Sequence, residues 1–172
     1  KIVLHYNVKY IRNCLAIGAD VIVISGDYAA NEEPMMSPKH FKRYIFPQLK
    51  AMVSEVKNQG SYCIKHTDGN IWKLFEMIIE SGIDGIHPLE PVAGMDIGEV
   101  KKKYGDRLCL MGNIDCGYTL SWGTLDEVRK EVKECIKRAA PGGGHIVASS
   151  NSIHSSVNPQ NFLEMIKATR EY

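Results

Sequence analysis

The chain has 172 residues, a formal net charge of +1, 44% hydrophobic and 24% charged residues, a balance that supports one globular core. So neutral a balance provides no field to steer nucleic acid, and the short basic run Lys101-Lys102-Lys103 reads as a solvated face near a helix end. No apolar stretch approaches the ~20 residues of a membrane span, so neither a nucleic acid nor a membrane is an expected partner.

In chain order, the first residues "KIVLHYNVKY" lack the apolar stretch and cleavage site of a signal peptide. The chain starts at Lys1 rather than Met and enters a helix at once, "VKYIRNCLAIGA", ending at Gly18. A piece of a longer protein, or a processed one, is therefore expected. Five β-rich runs follow: "DVIVIS" (20–25), "SYCIKH" (61–66), "DGIHPL" (84–89), "RLCLMGN" (107–113) and "HIVASS" (145–150). Each is nearly continuous in apolar residues, as in strands buried on both faces of a parallel sheet.

A helical pattern follows every run. Ser37-Pro38 and Asn158-Pro159 each offer an N-cap followed by proline at the first helical position. Thr124 with Glu127 forms a capping box. In "IWKLFEMIIESG", Ile71, Leu74, Phe75, Ile78 and Ile79 recur at helical spacing before Gly82. The pattern is α(βα)₅ over one domain, 1–172. Repeated βα units imply right-handed crossovers and a parallel sheet. Two architectures fit: part of a (β/α)₈ barrel, or an open doubly wound sheet. A full barrel needs ~250 residues.

Five cysteines, Cys14, Cys63, Cys109, Cys116 and Cys135, are odd in number and form no C-x-x-C pair. They predict a reducing, cytoplasmic setting rather than a disulfide framework. Cys63 and Cys109 lie in apolar runs and read as core; Cys116, after "GNID", is the one to consider for reactivity.

Polar residues collect after each strand. Asp27 and Tyr28 follow the first, His66, Asp68 and Asn70 the second, His87 and Glu90 the third, Asn113 and Asp115 the fourth, Asn151 and His154 the fifth. In parallel α/β folds those C-terminal ends share one face, where sites are built. His66 and Asp68 stand two apart, so on an extended segment both point the same way. That suits a shared metal, or a carboxylate that fixes an imidazole tautomer. Asn113 and Asp115 share the same spacing. Against these stand blander readings: Asp27 as a turn cap, Asp68-Gly69-Asn70 as a turn with Asn70 as N-cap, His87 as a core-edge histidine, His154 as a loop cap. "PGGGH" precedes a strand and is no phosphate cradle.

Together these segments resemble the C-terminal half of the uroporphyrinogen decarboxylase superfamily, which includes the methylcobamide:coenzyme M and other corrinoid-dependent methyltransferases. The resemblance covers 14–172. It is carried by "GADVIVISGDYAANEEPMMSPKHFKRYIFPQLK", "IKHTDGN", "GIDGIHPLEPVAGMDIGEVKKKYGDRLCLMGNID" and "PGGGHIVASSNSIHSSVNPQNFLEMIKA". It implies a (β/α)₈ TIM barrel, here a C-terminal fragment with five βα units, whose missing strands come from the rest of the barrel or from self-association. In the methyltransferases, zinc held by an H-x-C-G-N segment and a later cysteine activates a thiol. His66, Gly69 and Asn70 match that segment; Asp68 stands at its cysteine and Asn151 near the later one. The decarboxylases carry an aspartate where Asp68 stands, and Asp27 matches their strand-end aspartate.

The resemblance implies three activities. The first is corrinoid-linked methyl transfer, with a methyl donor and a thiol as substrates, a corrinoid protein as partner and zinc as cofactor. In it, His66, Asp68 and Glu90 (or His154) are metal or acid/base groups, with Asp27 catalytic. Tyr28, Asn70, His87, Asn113, Asp115, Asn151 and His154 then contact substrate. The second is decarboxylation of a tetrapyrrole without cofactor, Asp27 or Asp68 stabilising a protonated pyrrole. The third is a corrinoid- or tetrapyrrole-binding module without chemistry.

Overall fold

A computed structural model describes residues 2–172. Helix α1 (Ile2–Ala16) leads into β1 (Val21–Ile24). After a loop, α2 (Pro38–His40) passes through a π-helical turn (Phe41–Ile45) into α3 (Phe46–Asn58). The remaining order is β2 (Tyr62–His66), α4 (Phe75–Glu80), β3 (Gly85–His87), α5 (Ile97–Tyr104) and β4 (Cys109–Ile114). Then come α6 (Thr119–Trp122), α7 (Leu125–Ala139), β5 (His145–Ser149) and α8 (Pro159–Glu171). Each β-rich run holds a strand. No described helix is long and apolar enough to cross a membrane.

The five strands form one parallel sheet in the order β1-β2-β3-β4-β5. Every strand lies beside its successor in sequence, as in a barrel wall. A doubly wound sheet would reverse direction at a switch point, and none occurs among the described strands. The register pairs Val21 with Tyr62, Val23 with Ile64, and His66 with His87. Paired residues share a face, so these side chains line the concave side of the sheet. Val23 is 53% and Tyr62 61% exposed there.

The core lies on the other, helix-covered side. Cys63, Ile86 and Leu110 from the sheet and Leu49, Val53, Val56, Val100, Val128 and Val132 from the helices are all buried in it.

The helix starts follow capping chemistry. Both halves of the Thr124–Glu127 capping box form. Ser37 accepts from the His40 N–H, and Asn158 from the Gln160 N–H. Asp96 caps α5 as well, accepting from the Glu99 N–H, and its carboxylate pairs with Arg138 of α7. Two boundaries differ from the sequence reading. Helix α1 already begins at Ile2. Regular helix after β2 starts only at Phe75, although Ile71 and Leu74 are buried as their spacing predicts. The Asn70 side-chain Oδ1 accepts from the Trp72 N–H at 3.3 Å, a local turn that competes with helix initiation.

Candidate functional site

The site grows from the register of β2 against β3. Because His66 pairs with His87, their rings sit side by side, centroids 4.9 Å apart, with Nδ1 to Nδ1 at 2.7 Å. With Ser25, Met111, Ser149 and Asn151 they line an open cavity of about 340 Å³ at the C-terminal end of the concave face. Burial and the neighbouring His66 pull the His87 pKa down to about 4. His87 is therefore neutral at physiological pH.

Two carboxylates close on His66. The Asp68 N–H donates to Asp27 Oδ1 at 3.0 Å, which ties the loop after β1 to the end of β2. His66 Nε2 lies 3.8 Å from Asp27 Oδ1 and 3.7 Å from Asp68 Oδ1. Both distances exceed a hydrogen bond. They approach the separation of two ligands on one tetrahedral ion, about 3.4 Å for bonds near 2.1 Å. The three residues offer ligand atoms all within 4.8 Å of one another. Asp68 Oδ2 accepts from the Asn151 amide at 2.5 Å, whereas its Oδ1 is buried without a hydrogen-bond partner. Burial, reinforced by Asp27 and opposed by His66 and Asn151, holds the Asp68 carboxyl above its ordinary range. A buried acceptor without a donor, facing an imidazole nitrogen and a second carboxylate, fits a cation. The donor set of one nitrogen and two oxygens suits zinc or another divalent ion of intermediate hardness.

Sequence reasoning missed what holds this cluster. Lys65 is completely buried on the helix side of β2. Its ammonium donates to the carbonyls of Ile24, Gly26 and His66 and lies 4.2 Å from the centre of the Tyr28 ring. Three donors meet three carbonyls, so the ends of β1 and β2 are pinned together directly behind Asp27 and His66. Burial lowers the Lys65 pKa to about 8, while Asp27 and Asp68 act to raise it. A lysine inside an apolar run gives no sequence signal for this role. Thr67, also buried, accepts from the Tyr28 N–H. Gly69 has φ +81°, and a Cβ there would lie 2.4 Å from the Ala29 carbonyl oxygen; only glycine lets the loop after β1 close over β2.

Other candidates fall outside the cluster. The resemblance offers Glu90 or His154 as a further ligand, whereas the group of close ligand atoms consists of Asp27, His66 and Asp68. Glu90 Oε2 instead accepts from the Gly69 N–H at 2.9 Å, and burial raises its pKa. Tyr28 packs edge-on against Phe41, toward the helices rather than the cavity. Asn70 forms the Trp72 turn and donates its backbone N–H to Ala30. Asn113 is buried, and its amide donates to the carbonyls of Leu89 and Met95. Strand alternation would put Asn113 beside Met111, but Gly112 at φ +146° breaks the pleat and turns it outward. A Cβ on Gly112 would sit 2.0 Å from the Pro88 carbonyl oxygen. Asp115 accepts from the N–H groups of Gly117 and Tyr118 and so builds the turn into α6. His154 is exposed and accepts from the Ser156 N–H, a loop cap. Cys116 is buried, and burial pushes its thiol pKa up, the reverse of an activated nucleophile.

The family model described as Uroporphyrinogen decarboxylase (URO-D) matches residues 1–172. A methylcobamide:CoM methyltransferase of Methanosarcina barkeri is 27% identical over 165 residues, covering 96% of this chain and 45% of that protein. A uroporphyrinogen decarboxylase of Trichodesmium erythraeum is 26% identical over 164 residues, covering 94% of this chain and 43% of that protein. Among solved structures, a methyltransferase from Methanosarcina mazei superposes with a TM-score of 0.82 at 25% identity, over 98% of this chain and 47% of that one. The chain thus spans about half the length of the curated relatives it matches, and its sheet is a fragment of their TIM barrel.

Proposed function

This chain belongs to the uroporphyrinogen decarboxylase family, and from that membership we propose that it carries the metal site of a methyltransferase acting on a thiol, with a corrinoid protein as methyl donor. The observation that supports this reading is the unpartnered Asp68 Oδ1, buried 3.7 Å from His66 Nε2 in a cluster with Asp27. His66, Asp68 and Asp27 would hold the ion. Asn151 would orient Asp68, and Lys65 would fix the backbone behind both strands. When bound, zinc supplies Lewis acidity, lowering the pKa of a thiol so that it reacts as thiolate. The concave cavity beside His66 and Ser149 then receives the thiol substrate. Cysteines without disulfide partners are consistent with a reducing, cytoplasmic compartment.

The test is metal content together with methyl transfer. Purified protein should hold about one zinc per chain, lost in His66→Ala, and should transfer methyl groups from methylcobalamin to a small thiol. Metal-free protein of native fold, inactive after zinc addition, sinks the reading. A second reading, decarboxylation of a tetrapyrrole, draws on the same carboxylates: Asp68, whose carboxyl burial pushes above its ordinary range, beside the more exposed Asp27. There, carboxylates stabilise the positive charge of a protonated pyrrole before carbon dioxide leaves. Turnover of uroporphyrinogen by chelator-treated protein would favour it. Ligand binding without either turnover would mark a binding module.

A further inference from the structure

We propose that Thr67 is a positioning residue: its hydroxyl holds the loop after β1 so that Asp27 stands beside His66 and Asp68. Its purpose rests on the metal reading, whereas its geometry does not. The last register pair of β1 and β2 is Ile24 with Lys65. Beyond it, three more hydrogen bonds keep the two segments side by side. The Asp68 N–H donates to Asp27 Oδ1 at 3.0 Å, the Tyr28 N–H to Thr67 Oγ1 at 2.9 Å, and the Asn70 N–H to the Ala30 carbonyl at 2.8 Å. The first is made by the candidate ligand Asp27 itself, and the third lies past both carboxylates. The middle one belongs to a side chain that is no ligand and is only 2% exposed.

Side chains alternate along an extended segment, so His66 and Asp68 face the concave side while Thr67 faces the helices. The Thr67 N–H donates to the His87 carbonyl at 3.0 Å, which anchors its backbone to β3. The hydroxyl then bridges from that anchored backbone to the loop after β1. Among the described residues, the Tyr28 N–H has no other acceptor. Tyr28 directly follows Asp27, and Thr67 directly precedes Asp68, so this one contact sets the spacing of two carboxylates. His66 Nε2 lies 3.8 Å from the first and 3.7 Å from the second. A methyl group in place of the hydroxyl fills the same volume but leaves the Tyr28 N–H without an acceptor. The loop then draws away toward water and takes Asp27 with it.

The experiment is amide hydrogen exchange of the metal-free protein, followed residue by residue by NMR, with zinc and cobalt(II) titrations beside it. In wild type the Tyr28 and Asp68 amides should be protected. In Thr67→Val both should exchange about tenfold faster, the effect of losing one ordinary hydrogen bond. The amide at position 67, bonded to His87, should keep its rate. Zinc affinity should fall about 10–100-fold, and the visible cobalt(II) spectrum should change as one carboxylate leaves the ion. Thr67→Ser, which keeps the hydroxyl, should restore all of these. A wild-type Tyr28 amide that exchanges as fast as an exposed loop amide overturns the proposal even if no variant folds. So does folded Thr67→Val with the Asp68 amide still protected, or with every amide exchanging faster alike. If the Tyr28 and Asp68 amides behave as stated but wild type binds no zinc, the positioning role survives and the metal reading fails.

Discussion

Asp68 and Asn151, 83 positions apart in sequence, share a hydrogen bond of 2.5 Å that joins the loop after β2 to the loop after β5. It engages one carboxylate oxygen and leaves the other facing His66. By the resemblance described above, Asp68 stands at one position, and Asn151 near the other, where the methyltransferases are expected to keep zinc-binding cysteines.

Removing the amide should therefore loosen the ligand without deleting it. In Asn151→Ala, zinc affinity should drop about 10–100-fold, the usual cost of losing an outer-shell partner, with thermal unfolding little changed. The double variant Asp68→Cys/Asn151→Cys should bind zinc more tightly than wild type, since thiolates suit that ion. Cobalt(II) titration should then show a thiolate charge-transfer band that wild type lacks. Equal affinities across all three proteins would place the ion elsewhere.

Lys65 is fully buried with three carbonyls for its three donors. Lys65→Met keeps much of the aliphatic volume but strands those carbonyls. At about 1 kcal/mol or more for each buried unpaired acceptor, urea unfolding should register a loss of about 3 kcal/mol. Histidine resonances of His66 should broaden as the ends of β1 and β2 part. A loss below about 1 kcal/mol would mean that water satisfies the carbonyls and the pin is dispensable.

Glu90 is held above its ordinary value of 4.5, chiefly by burial and also by Asp68, Asp115 and Asp27, while the Gly69 N–H opposes the rise. In the window from 4.5 up to the raised folded value, the folded chain holds this proton and the unfolded chain has released it. Its contribution to stability is thus complete below that window and declines as pH rises through it. Glu90→Gln keeps an oxygen for the Gly69 N–H and has nothing to titrate. Between pH 4 and pH 7, its urea midpoint should fall less than that of wild type. Asp68, shifted in the same direction, preserves part of the slope. Parallel profiles would show that Glu90 titrates normally.

Residues 1–172 expressed alone should self-associate. Among the described residues, β1 and β5 each pair on one side only, and Val21, Val23, Tyr62 and Ile146 are exposed along or near the open face. Unpaired edges with apolar neighbours invite pairing. Light scattering should give a mass above one chain, reduced by Val23→Glu. A monodisperse monomer would mean that the concave face tolerates water.

The strands were legible because a parallel sheet covered by helices demands near-continuous apolar runs, and each run kept its strand. Asp27, His66 and Asp68 were legible because they fall at strand ends on one face. His87 was legible as a strand-end candidate but not as the neighbour of His66, since that contact depends on register, which no local pattern records. Asn113 was misplaced because alternation assumes an unbroken pleat, and Gly112 breaks it. Lys65 stayed hidden because a buried cation inside a strand looks like a solvated one until the carbonyls around it are seen.

The Asp68–Asn151 bond also ties recognition to architecture. Its partners follow β2 and β5, so the cluster reaches its full set of contacts only when both intervening strands, β3 and β4, are seated. Ligand occupancy and completion of the sheet then become one linked equilibrium, in which an ion that prefers the finished site pulls the whole arc toward closure. Chelation would act on this protein as a mild denaturant, and a substitution in β3 or β4, touching no ligand, would weaken binding by loosening the span between them.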